Sequence, residues 1–153
     1  MPIAEKFQAD FIKILKVDKN MDQRILEANI LIVDDEPANI ELLRQTLAGE
    51  GYENLYVTCD PRKACEIYEK IWPDLLLLDL NMPYMDGFQV LEKLKTVERR
   101  SYLPILVLTA LTAKETLLRA LKSGAKDLLT KPLDLNEVLC RVRNILEVRL
   151  LHN

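Results

Sequence analysis

The stretch that most constrains this chain is Asp74-Leu75-Leu76-Leu77-Leu78-Asp79. Four leucines in a row, entered after Pro73 and left at the turn-rich Asn81-Met82-Pro83-Tyr84-Met85-Asp86-Gly87, show no polar alternation. That pattern predicts a strand buried on both faces. Such a strand needs apolar cover above and below, the situation of a parallel sheet between two helical layers. Asp79 is the first charge after the run, so it falls where the strand emerges. In open parallel sheets, ligands bind outside the carboxyl ends of the strands.

From Asn29 the chain alternates strand and helix. Ile30-Leu31-Ile32-Val33 predicts a first strand ending at Asp34-Asp35. Glu36-Pro37 opens a helix with Ile40, Leu43 and Leu47 inward, ending at Gly49. Leu55-Tyr56-Val57-Thr58 is a second strand. Asp60-Pro61 starts a helix with Ala64, Ile67, Tyr68 and Ile71 on one face, and the leucine strand follows. Gly87 leads into a helix carrying Phe88, Val90, Leu91 and Leu94. Pro104-Ile105-Leu106-Val107-Leu108 is the fourth strand, ending at Thr109. A helix opening at Thr112 or Ala113 places Leu117, Leu118 and Leu121 inward and stops at Ser123-Gly124. Asp127-Leu128-Leu129-Thr130 is the fifth strand, ending at Lys131-Pro132. Asp134 caps a last helix bearing Val138, Leu139, Val142, Ile145, Leu146 and Leu150, with a pattern that runs on to Asn153. The expected fold is α/β: a doubly wound, five-stranded parallel sheet in the flavodoxin-like order 2-1-3-4-5, with helices on both faces.

Residues 1–27 stand apart as a helical extension. Ile3, Phe7, Phe11, Ile14 and Leu15 recur at helical spacing. Val17 to Asp22 reads as a break before a second short helical piece, Gln23 to Ala28. Residues 28–133 form the expected core domain. Residues 134–153 form the final helix, expected to run on into a connector.

Composition narrows the chemistry. A net charge of -3 gives no basic footprint for nucleic acid or an anionic membrane, and no apolar stretch approaches a membrane span. Cys59, Cys65 and Cys140 lack metal-ligand spacing and His152 is the single histidine, which argues against zinc and against a histidine-based hydrolase. The cysteines read as reduced packing residues of a cytoplasmic protein.

The strand ends then deliver a specific set. The first strand supplies Asp34 and Asp35, the third Asp79, the fourth Thr109 and the fifth Lys131. In the expected strand order the first and third strands are neighbours at the winding switch, which gathers three carboxylates. They repel one another unless a cation joins them, and an all-oxygen donor set suits Mg²⁺. An ionised Asp79 needs no general base to act as a nucleophile. Lys131 and the Thr109 hydroxyl are placed to neutralise charge on phosphoryl oxygens. Ala110 leaves room for a donor.

These residues resemble a known family. Asp34-Asp35, Asp79 with Met82-Pro83-Tyr84-Met85-Asp86-Gly87, Leu108-Thr109-Ala110 and Lys131-Pro132 look like the receiver domain of bacterial two-component response regulators, over Asn29 to Arg149. The resemblance implies that Asp79 is phosphorylated by a histidine kinase or phosphotransfer protein. It also implies that Asp34, Asp35, Asp79 and the Asn81 backbone carbonyl hold Mg²⁺, and that the Lys131-Pro132 bond is cis. The final stretch is similar to receivers whose last helix continues as a connector, often toward an HD-type cyclic-di-nucleotide phosphodiesterase; no such output domain lies in these residues. A homodimer through the final helix, seamed by Val138, Val142, Ile145 and Leu146, is a further expectation. One position departs from the pattern: Leu128 stands where many receivers carry Tyr or Phe.

Bland readings stand beside these. Alone, Asp34-Asp35 would be a helix cap, and Thr109 or Lys131 an ordinary strand-end polar residue. Asp86-Gly87 reads as turn chemistry, Met82 and Met85 as packing, and Arg141, Arg143 and Arg149 as a solvated helix face. Two alternatives remain: a phosphatase of the haloacid dehalogenase type, which normally wants an aspartate where Asn81 stands, and a receiver-like binding module that is not phosphorylated.

Overall fold

Five parallel strands form one sheet in the order β2-β1-β3-β4-β5. The strands are β1 (Ile30–Val33), β2 (Leu55–Thr58), β3 (Leu75–Leu78), β4 (Ile105–Thr109) and β5 (Asp127–Thr130). The helices are α1 (Ile3–Leu26), α2 (Pro37–Glu50), α3 (Ala64–Ile71), α4 (Gly87–Thr96), α5 (Lys114–Lys122) and α6 (Leu135–Leu151). This computed structural model describes residues 3–97 and 102–151, and not the side chains of 3, 4, 7 and 11–19. The expected apolar face of Ile3, Phe7, Phe11, Ile14 and Leu15, and the run of the last helix to Asn153, lie outside the described residues.

The leucines of β3 lie between β1 and β4, and none is more than 1% exposed. Their alternation splits the core into two layers. Leu75 and Leu77 point with Ile30, Ile32, Leu106 and Leu108 toward α2 and α6. Leu76 and Leu78 point with Leu31, Val33, Ile105 and Val107 toward α3, α4 and α5. Full burial of a leucine contributes about 1.5–3 kcal/mol, so the central strand anchors both layers and fixes where its carboxyl end lies.

Several expectations about local structure are corrected. Residues 17–22 do not break the first helix. It is continuous through Leu26, because Met21 and Ile25 pack on one core and no Gly or Pro interrupts it. α2 passes through Gly49 and ends at Gly51, whose φ of 107° takes the left-handed region that a side chain resists. On α5 it is Ala120 that is buried, while Leu118 and Leu121 are exposed. Cys59 and Cys140 are exposed rather than packed. Arg141 and Arg143 are exposed, as expected, but Arg149 is not: its side chain is 11% exposed and lies 3.8 Å from Asp74. Val138, Val142, Ile145 and Leu146 are buried in the chain's own core, so they cannot form a dimer seam without unpacking it. Among the described residues, no helix is long and apolar enough to cross a membrane.

Candidate functional site

Each polar residue of the site stands at or just past the end of a strand packed in the core. Asp34 follows β1 and is 2% exposed, Asp79 follows β3 and is 6% exposed, and Thr109, the last residue of β4, is fully buried. The backbone continues the sheet one step beyond the strands, since Asp34 N–H donates to Thr58 O and Asp79 N–H to Val33 O. Lys131 follows β5, and its own N–H donates to Thr109 O at 2.8 Å. The Lys131-Pro132 peptide is cis, matching the expectation.

The strand order brings these residues together. Carboxylate oxygens of Asp34, Asp35 and Asp79 lie within 4.8 Å of one another. Lys131 Nζ is 3.1 Å from Asp34 Oδ2 and 3.5 Å from Asp79 Oδ2. Asp34 is further held by Glu36 N–H at 2.9 Å and by Asn39 Nδ2 at 3.4 Å. Asp79 Oδ1 accepts from Asn81 N–H at 3.2 Å. Thr109 Oγ1 accepts from Leu111 N–H at 3.0 Å, which leaves the hydroxyl proton available to a further acceptor.

Burial pushes the Asp79 carboxyl above the usual carboxylate range. Lys131 pulls it back and the neighbouring Asp34 charge adds to the rise. For Lys131, burial is the largest influence and lowers its pKa, but Asp34 and Asp79 together outweigh it and hold the amine above its ordinary value. Lys131 thus stays charged, yet brings one positive charge to three carboxylates. The surplus negative charge, the oxygen-only donor set and the short separations fit a hard divalent cation of the Mg²⁺ kind. Asp35 is half-buried and faces the same cluster.

The loop after β3 has its own reasons for its sequence. Asp86 caps α4 by accepting from Gln89 N–H, while the Gln89 side chain accepts from Asp86 N–H, a reciprocal capping box. Asp86-Gly87 is therefore a helix start. Met82 is buried and Met85 packs on the core, as expected of packing residues. Leu128 is half-buried against the α3–α5 layer. Sequence reasoning missed Asn39, one turn into α2, and the pair Arg62 and Tyr84, whose rings and charges meet only in the fold. A polar residue five positions after Asp34 was the available signal for Asn39.

The fold and its clustered carboxylates are those of a receiver module, and comparison with known proteins agrees. The response regulator receiver domain family matches residues 30–143, and the chain belongs to that family. The response regulator PleD of Caulobacter vibrioides is 39% identical over 125 residues, covering 82% of this chain and 27% of PleD. The DNA-binding dual master transcriptional regulator RpaA of Synechocystis is 41% identical over 117 residues, covering 76% of this chain and 48% of RpaA. The chain thus spans about a quarter to a half of these relatives. A CheY-like receiver domain protein from Methanospirillum hungatei has a TM-score of 0.76 at 26% identity, over 83% of this chain and 99% of that one. Chemotaxis protein CheY4 of Vibrio cholerae gives 0.72 at 29% identity, over 78% and 98%. Membership in this family sets aside the dehalogenase-type phosphatase.

Proposed function

We propose that this domain is a phosphorylation-activated signalling switch in which Asp79 accepts a phosphoryl group from a histidine kinase or phosphotransfer protein. The observation that carries the proposal is the convergence of Asp34, Asp35, Asp79 and Lys131 at the carboxyl end of the sheet. An Asp79 oxygen forms a bond to phosphorus as the bond from phosphorus to the donor histidine nitrogen breaks, and that nitrogen keeps the electron pair. Lys131 faces the acceptor carboxylate and stabilises negative charge on the transferred group. The Thr109 hydroxyl donates to a phosphoryl oxygen. Mg²⁺, held by the carboxylates of Asp34, Asp35 and Asp79 and the backbone carbonyl of Asn81, would neutralise charge on the phosphoryl oxygens when bound. Beyond making and breaking its own acyl phosphate, the domain is not an enzyme.

The Thr109 hydroxyl that donates to the phosphoryl group also accepts from Leu111 N–H. That couples Asp79 to the β4–α5 loop and the β4–β5 edge, with Leu128 repacking in place of an aromatic side chain. The boundaries 1–27, 28–133 and 134–153, a cytoplasmic setting, a final helix that leads into a connector and a homodimer through it belong to this proposal. A dimer would use α6 positions still exposed, such as Val148 and Leu151, rather than the four buried ones. The alternative of a receiver-like binding module without phosphorylation gains nothing from the site, which keeps every carboxylate and the lysine. The test is incubation with acetyl phosphate and Mg²⁺, read by intact mass. The parent should gain one phosphoryl group and Asp79→Asn none; equal labelling of both would overturn the proposal.

A further inference from the structure

Tyr84 is one of two non-glycine residues with positive φ among those described, at 67°. A side chain in that region costs free energy and persists where surrounding contacts hold it. Tyr84 lies in the loop that joins β3 to α4, five residues after Asp79 and three after Asn81. The residue is 81% exposed, so burial does not hold it.

What meets the ring is Arg62. The guanidinium carbon sits 4.5 Å from the ring centroid. The guanidinium is itself fixed by Asp60, with Nε 2.9 Å from Oδ1 and Nη2 3.0 Å from Oδ2, the planar fork that lysine cannot reproduce. Asp60 is tied in turn to the end of β2, through its N–H to Thr58 Oγ1 and its carbonyl accepting from the same hydroxyl. Thr58 O accepts from Asp34 N–H. A continuous chain of contacts therefore runs from Asp34 through Thr58, Asp60 and Arg62 to Tyr84. It crosses the sheet order β2-β1-β3, bridging the loops on either side of the strand that delivers Asp34 and Asp35.

We propose that Arg62 and Tyr84 are positioning residues that latch the loop after β3, holding the Asn81 backbone carbonyl where Mg²⁺ needs it. This rests on the Mg²⁺ reading given above and deepens it. The sign of the effect separates the latch from simple electrostatics. Removing a cation near an acidic site should tighten Mg²⁺ by field alone. Removing a latch frees a metal ligand and weakens it. An exposed stacking contact of this kind corresponds to about a two- to fivefold change in affinity.

The test is Mg²⁺ titration by calorimetry on the whole chain and on Arg62→Ala, Tyr84→Leu, Tyr84→Phe and the double variant Arg62→Ala with Tyr84→Leu. Melting curves check that these exposed positions leave the fold intact. Arg62→Ala and Tyr84→Leu should each weaken Mg²⁺ about two- to fivefold, the double variant no more than either, and Tyr84→Phe should match the parent. Acetyl phosphate labelling at low Mg²⁺ should slow in the weakened variants and recover at saturating Mg²⁺. Unchanged or tighter Mg²⁺ binding in Arg62→Ala, or weakening in Arg62→Ala without weakening in Tyr84→Leu, would overturn the latch. A parent that binds no Mg²⁺, or an Asp35→Ala variant that binds it as well as the parent, would instead overturn the underlying metal site.

Discussion

Gly87 and Asp79 touch through their backbones: a Cβ placed on Gly87 would fall 2.5 Å from the Asp79 carbonyl oxygen and 2.6 Å from Leu80 Cα. The first residue of α4 is thus packed directly on the segment that carries the proposed phosphoacceptor, joined by Gly87 N–H to Leu80 O at 2.8 Å. Exchange of glycine for alanine in a helix ordinarily stabilises by about 0.4–1 kcal/mol. Here the obstacle is backbone, which cannot swing away. Gly87→Ala should therefore destabilise by about 1–3 kcal/mol, read as a lower urea midpoint, and should slow labelling by acetyl phosphate even at saturating Mg²⁺.

Lys131 is the cation that keeps Asp34 and Asp79 tolerable in a buried place. Lys131→Met leaves two buried carboxylates without it. Breaking such a pair costs about 2–4 kcal/mol after allowance for the partial exposure of the lysine. Because one competing positive charge is gone, added Mg²⁺ should raise the melting temperature of Lys131→Met by more than it raises that of the parent. Thermal scans with EDTA and with Mg²⁺ check both effects.

The pH dependence follows from Asp79. Burial raises its folded pKa, with Lys131 opposing and Asp34 adding. The folded state then keeps the proton to higher pH than the unfolded chain. Its contribution to stability is fully present below the unfolded value, about 3.9, and is lost as pH rises through the folded value. Asp79→Asn does not titrate. In EDTA, Asp79→Asn should be more stable than the parent above about pH 4, and the gap should close on acidification. For a chain of this size each kcal/mol reads as about 2–4 °C in melting temperature. Mg²⁺ should stabilise the parent and not the variant.

The elements most readable in the residues were those whose pattern left one physical solution. Four consecutive leucines can be covered only from both faces, and strand-end positions for Asp34, Asp79, Thr109 and Lys131 follow once the strands are set. The misread places were decided by tertiary contacts. Asp18-Lys19-Asn20 look like a break, but Met21 and Ile25 anchor the helix on a core that no local rule reveals. The inward residue of α5 is Ala120, while Leu118 and Leu121 are turned to solvent. Gly87 looked like turn chemistry because the carbonyl it faces belongs to a residue eight positions earlier. Arg62 and Tyr84 are 22 residues apart, in the turn before α3 and the loop before α4, and meet where those two helices pack in one core layer.

The most direct measurement is the position of the phosphoryl group itself. The chain is labelled with acetyl phosphate and Mg²⁺, the acyl phosphate is reduced with borohydride, and the reduced residue is located by peptide mass spectrometry. Reduction of residue 79 alone is expected, with Asp34 and Asp35 intact. Reduction at Asp34 or Asp35, or a labelled chain with residue 79 unmodified, would contradict it.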